Sequence, residues 1–205
     1  MKSLRWLAIA AALVVCAAPA QANTITGYLY RVSEATSQNA IPANVPAGPA
    51  DVVFDVDSPI DFNASGATIA TWLASGSAFN IVENTPGTLA SLMDNGTTGT
   101  LLNFTGFVSV VNGQQFTVTH DDGLTLIVGG LDLGFDPGPT APIVSVATYT
   151  GPTGTFPFQL VYGECCGGPA VLQIDLPLSN VPEPTSLFLL ATGLAGFGVR
   201  RMRRA

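Results

Sequence analysis

From residue 24 to residue 178 the apolar side chains recur mostly at every second position. That period sets one face of a strand against a core and the other against water. In FTVTHDDGLTLIVGG, Phe116, Val118 and His120 share one face and Thr117 and Thr119 the other. Asp121-Asp122-Gly123 has turn chemistry, and Leu124, Leu126 and Val128 then resume the alternation, so the spacing predicts a hairpin. Just upstream, FTGFVSVVNGQQFTVT predicts a second hairpin that turns at Asn112-Gly113. Later, Phe156, Phe158, Leu160 and Tyr162 share a face, and Leu172, Ile174 and Leu176 do so opposite Gln173 and Asp175. Further strands are expected over Ile25 to Val32, Val52 to Val56 and Ile143 to Tyr149. The stretch ATIATWLASG, around Trp72, reads as a short helix, and residues 33–51, with three prolines, read as a loop.

Strands at this spacing, punctuated by Gly and Pro turns, predict an all-β fold: one antiparallel β-sandwich over residues 23–180. About 150 residues suffice to bury a core without staples.

The two ends break the pattern. Residues 1–22 begin with Lys2 and Arg5, continue through an apolar run from Trp6 to Ala18, and close on small residues. Ala20-Gln21-Ala22 fits the A-x-A cleavage pattern, which predicts a signal peptide and a mature start at Asn23. The run is too short for a ~30 Å hydrocarbon core, and Pro19 ends it. Cys16 follows the bulky Val15, so it reads as one more apolar residue of that segment.

The last segment, residues 181–205, reads VPEPTSLFLLATGLAGFGVRRMRRA. Pro182 and Pro184 keep its start extended. A fourteen-residue apolar run over 186–199 follows, expected to form a transmembrane helix of about 21 Å at ~1.5 Å per residue. That underfills a ~30 Å core and suits a temporary stop in the inner membrane. Arg200, Arg201, Arg203 and Arg204 would hold the C-terminus on the cytoplasmic side.

Charge sharpens this division. Six of the seven basic residues lie in the two terminal segments, and all fourteen acidic residues fall between Glu34 and Glu183. Residues 31–183, with Arg31 as their one base, carry a net −13. Such a body repels nucleic acid and anionic lipid, so no nucleic-acid partner is expected. Cations, neutral glycans and proteins remain.

Candidate chemistry is sparse. His120 is the only histidine, with no nucleophile or second ligand beside it, and reads as a locally hydrogen-bonded strand-end residue. Asp51, Asp55, Asp57 and Asp61 form the densest acidic cluster. Asp55 and Asp57 share a strand face, where paired carboxylates can hold Ca²⁺ or serve a glycosidase. Their spacing matches no EF-hand loop, and the weight falls on a solvated face. Cys165-Cys166 is the only thiol pair outside the signal segment. Three states remain open for it in an oxidising compartment: a vicinal disulfide, which is favoured, two free thiols, or bonds to another chain. Sequons stand at Asn63, Asn95 and Asn103. There is no Walker loop, Gly-x-Ser-x-Gly elbow or zinc helix motif, and no enzyme is expected.

Two resemblances follow from these residues. Val181-Pro182-Glu183-Pro184, the Leu-rich run, ATGLAGFG and the arginine cluster together resemble the PEP-CTERM sorting signal of Gram-negative bacteria. This implies export through the Sec translocon, transient residence in the inner membrane, recognition by an exosortase, and release to the cell surface or extracellular matrix. Association with exopolysaccharide or biofilm is the corresponding expectation for function.

The stretch FTGFVSVVNGQQFTVTHDDGLTLIVGG, with the later GTFPFQLVYGECCGGPAVLQIDLP, resembles the PA14 β-sandwich family over residues 100–178. That implies a jelly-roll type of sandwich. It also implies a carbohydrate-binding alternative, since some members hold sugar through adjacent aspartates and calcium on a surface loop. Asp121 and Asp122 are the matching pair, although the hairpin reading gives them a structural role as a turn. A secreted hydrolase is the third and weakest expectation.

Overall fold

A computed structural model describes residues 24–179. The expected signal peptide with its cleavage residues Ala20, Ala22 and Asn23, the motif Val181–Pro184, the helix over 186–199 and the arginine cluster all lie outside the described residues. Among the described residues no helix is long and apolar enough to cross a membrane.

Within the described residues eleven strands form two antiparallel sheets. They are β1 (Thr24–Ser33), β2 (Val52–Asp57), β3 (Ile60–Ala64), β4 (Phe79–Glu83), β5 (Thr98–Val110), β6 (Gln115–Asp121), β7 (Leu124–Val128), β8 (Leu131–Asp132), β9 (Ile143–Thr148), β10 (Gly154–Glu164) and β11 (Ala170–Ile174). The larger sheet runs β4-β2-β1-β5-β10-β7-β8 and the smaller β3-β11-β6-β9. The expected antiparallel sandwich is therefore present. Its core lies between the sheets, where alternate residues of each strand meet: Leu29, Phe54, Leu102, Phe104, Leu126 and Leu160 from one sheet, Phe62, Val118 and Leu172 from the other.

Both expected hairpins are corrected. β5 and β7 belong to the larger sheet and β6 to the smaller, so neither the Asn112-Gly113 turn nor Asp121-Asp122-Gly123 joins paired strands. Each carries the chain from one sheet to the other. Alternation reports which side chains face inward, and it did so correctly for Phe116, Val118 and His120. It does not report whether the next inward-facing strand lies beside the first or opposite it across the core. β6 instead pairs with β11 and β9, for example Leu172 with His120 and Val144 with Thr119.

The helix expected around Trp72 is α2 (Ile69–Ser75). Thr68 caps it by accepting a hydrogen bond from the Thr71 N–H. Ile69, Trp72 and Leu73, spaced i, i+3, i+4, face the core. The stretch expected as a loop, residues 33–51, contains one turn of helix, α1 (Glu34–Ser37), capped by Ser33, and a 3₁₀ turn, Pro42–Asn44.

A file of aromatic rings links this core to one end of the sandwich. Phe104 meets Phe54 edge-on at 5.8 Å, and Phe54 meets Phe62 edge-on at 6.0 Å. Phe62 stacks on Trp72 at 4.1 Å, and Trp72 lies parallel to Tyr162 at 6.1 Å. The indole N–H of Trp72 donates to the Ala170 carbonyl at 3.2 Å, which ties the file to the start of β11. The Tyr162 hydroxyl ends the file, and it touches the residues described next.

Candidate functional site: an acidic cup at one end of the sandwich

β6 ends at Asp121, and the chain crosses to β7 through Asp122 and Gly123. The peptide bond between the two aspartates is cis. Both side chains are buried. Asp122 is held on both oxygens: Oδ2 accepts from the Cys165 N–H at 2.8 Å, and Oδ1 from the Thr140 N–H at 3.1 Å. No N–H or hydroxyl of the described residues donates to the Asp121 carboxyl, whose partner is the Asp122 carboxyl when one of the two is protonated. Gly123 is required on steric grounds, because a Cβ there would run into the Pro137 carbonyl.

Two loops rise on either side. Residues 139–142 form one wall and residues 166–169 the other, with Asp121 and Asp122 between them, enclosing a cavity of about 400 Å³. The second wall begins at Cys165–Cys166, which are joined as the favoured vicinal disulfide. Cys165 is fully buried and Cys166 exposed. The loop is held by the Gly167 N–H, which donates to Asp94 Oδ2 at 3.1 Å.

Beneath the cup lies a second acidic layer. Glu164 is only 1% exposed and faces a cavity of about 90 Å³ that Asp94 also lines. The Tyr162 hydroxyl lies within hydrogen-bond distance of both the Asp121 carbonyl and Glu164 Oε2, the latter at 2.8 Å. A hydroxyl has one hydrogen, and a carbonyl can only accept. The Tyr162 hydroxyl is the donor in each contact, its one hydrogen shared between the two acceptors.

Burial pushes the Glu164 carboxyl up to about 9; the tyrosine contact opposes this, and the charges of Asp122, Asp121 and Asp94 add to it. Asp121 is pushed up to about 7, by burial first and by the Asp122 charge second. Asp122 is raised by burial, against the lowering effect of the N–H groups of Cys165 and Thr140. Tyr162 is raised well above its ordinary value by burial and by Glu164.

The donor set suits a hard cation. Asp121 and Asp122 present carboxylate oxygens, the ligand type calcium takes in sets of six to eight. Two carboxylates supply part of such a set and leave positions for water or a ligand's oxygens. Both sulfurs lie within 4.8 Å of an Asp122 oxygen and of each other. They are bonded to one another, so no thiolate is offered to a softer metal.

The other sequence candidates lie elsewhere. His120 is buried, with Nδ1 2.6 Å from the Asp122 carbonyl and Nε2 2.8 Å from Ser145 Oγ, as a locally bonded strand-end residue should be. Asp55 and Asp57 lie on β2, away from the cup. They accept from Thr26 at 2.9 Å and Thr24 at 2.6 Å, and Asp55 also from Asn80 at 2.9 Å. Asp51 accepts from the Arg31 backbone N–H at 2.7 Å, and Asp61 from Gln173 at 2.6 Å on the other sheet, so the four aspartates do not converge. Sequence reasoning missed Glu164, Tyr162, Asp94 and the 139–142 wall. For Glu164 the signal was present: the buried alternation Phe158, Leu160, Tyr162 extends by one step to residue 164.

Comparison with known proteins adds the C-terminal segment. Residues 180–204 match the PEP-CTERM protein-sorting motif. The chain carries a PEP-CTERM sorting motif. The motif implies export, association with the cell surface and processing by an exosortase. Among curated proteins none matches the chain. Among solved structures it is similar to a PA14 sugar-binding domain from an RTX adhesin, at 20% identity and a TM-score of 0.49, over 75% of this chain and 88% of that one. It is also similar to the PA14 domain of the MpAFP antifreeze protein, at 19% identity and a TM-score of 0.48, over 78% of this chain and 84% of that one.

Proposed function

We propose that this is an exported surface protein that is released at its sorting motif and binds carbohydrate, without catalysis, through the cup at Asp121 and Asp122. Exopolysaccharide of the cell surface or biofilm is the matching ligand. One observation carries the binding half: two buried carboxylates line an open cavity that has no basic residue to neutralise them.

Asp122 is oriented by two backbone N–H groups, and Asp121 is free to exchange its proton for a metal ion. Calcium bound there would supply open coordination positions for a pair of sugar hydroxyls. The walls exclude water from one side of the ligand, and Thr140 and Gly168 offer polar groups at the rim. The absence of catalysis is proposed because His120, the one candidate base of ordinary type, is buried and engaged at both nitrogens.

The test uses the processed, exported protein on a broad polysaccharide array. Binding to at least one glycan is expected with calcium, with loss on adding chelator and loss in Asp121→Asn/Asp122→Asn. No binding anywhere on the array would reject the carbohydrate reading and leave a matrix protein acting by bulk presence.

A further inference from the structure

The cup has no aromatic side chain. Ligand sites need apolar surface as well as placed polar groups, and here it comes from another source. Pro139 and Pro142 supply it on one wall, and Pro169 and the exposed half of the disulfide on the other. Cys166 takes a left-handed backbone, φ 64°, followed by Gly167 at φ 94°. That turn leaves Cys165 inside and Cys166 lining the cavity. The disulfide is fixed from several directions: the Cys165 N–H on Asp122 Oδ2 at 2.8 Å, the Gly167 N–H on Asp94 at 3.1 Å, and Gln38 Nε2 3.4 Å from Cys166 Sγ. With both sulfurs within 4.8 Å of an Asp122 oxygen, the apolar wall stands directly beside the carboxylate floor.

We propose that the Cys165–Cys166 disulfide is a ligand-packing surface. Together with Pro139, Pro142 and Pro169 it receives the carbon-bound face of a sugar ring whose hydroxyls turn to Asp121 and Asp122. The ligand class is then a cyclic, saturated sugar, a pyranose unit, in preference to an open-chain polyol carrying the same pairs of hydroxyls. This rests on the carbohydrate reading of the cup and adds to it a role for the sulfurs. A disulfide is polarisable and apolar and has no hydrogen to donate, so it makes contact with C–H groups without competing for the hydroxyls.

The experiment compares methyl α-mannopyranoside and methyl β-galactopyranoside with sorbitol, by calorimetry on the calcium-loaded processed protein. Burying about 50 Å² of carbon-bound surface corresponds to about a tenfold preference for the better ring over sorbitol. In Cys165→Ser/Cys166→Ser, calcium binding should persist, because the bond to Asp122 comes from a backbone N–H, while the ring preference disappears. If that variant does not fold, Pro142→Gly on the opposite wall should weaken the pyranoside and spare sorbitol. Equal affinity of sorbitol and both rings in the wild type, or a ring preference retained in the variants, overturns the disulfide wall and leaves the cup reading standing. A calcium-loaded wild type that binds none of the three overturns both.

Discussion

Replacing Glu164 by glutamine tests the electrostatic account of the site. The folded chain holds this carboxyl protonated up to about pH 9, against an ordinary value of 4.5. Between those limits the unfolded chain releases a proton that the folded chain keeps. The group therefore favours folding most below pH 4.5, and that contribution is lost progressively as pH rises through 9. The slope is about 1.4 kcal/mol per pH unit. From pH 5 to pH 8 it amounts to about 4 kcal/mol, a large share of a typical domain's stability of roughly 5–15 kcal/mol. Because Glu164 is 1% exposed, solvent screening does little to reduce it.

Glutamine cannot ionise, and its amide oxygen can accept from the Tyr162 hydroxyl as Glu164 Oε2 does. Any misfit of the amide adds an offset that is the same at every pH. Asp121 weakens the fold in the same direction up to about pH 7, but it does so in both proteins and cancels in the difference. Urea unfolding at pH 5, 6.5 and 8 in EDTA, followed by Trp72 fluorescence, measures that difference. Glu164→Gln should gain on the wild type by several kcal/mol between the lowest and highest pH. Two parallel stability curves would refute the reasoning, because they would mean that Glu164 is ionised in the folded chain.

The other predictions concern the tail and the second acidic pair. Protein recovered from an exosortase-positive host should lack the residues after about Pro184 by intact mass, and an arginine tail still present would defeat the processing reading. Asp55→Asn with Asp57→Asn should leave glycan binding unchanged on the array and stability within about 1 kcal/mol, the range of exposed polar contacts. Loss of binding would move the site to β2.

The limits of sequence reading here follow from what alternation encodes. It located most of the strands and their buried faces, because burial repeats locally every two residues, but it missed the short β3, β4 and β8. The two hairpins were misassigned because a Gly-containing turn between apolar strands serves a sheet-to-sheet crossing as well as a hairpin. That error also hid the cup. As a hairpin tip, Asp121-Asp122 would be solvated; as the crossing point, it is buried under two loops distant in sequence. Asp55 and Asp57, which read as a solvated face, lie on β2 with threonine and asparagine partners. The vicinal disulfide is one of the three states that the sequence left open for Cys165-Cys166.

The arrangement of charge explains why the cup and the layer beneath it behave differently. Asp94, Asp121, Asp122 and Glu164 act on one another at one end of a body whose only Lys or Arg among the described residues is Arg31. Arg31 is committed nearby, donating to the carbonyls of Met93 and Thr98 and to the Thr100 hydroxyl. Arg31 attracts Asp94, and the repulsion it does not offset is relieved by protons or by cations from solution. Glu164, buried against the Tyr162 hydroxyl and pushed up to about 9, keeps its proton across the physiological range. On Asp121 the proton sits at the cavity floor and leaves near pH 7, so a cation arriving from solution can replace it. A cation at Asp121 and Asp122 competes with that proton, and its apparent affinity must fall as pH drops below about 7. The same burial that makes Glu164 a permanent neutral prop thus leaves Asp121 as the exchangeable position.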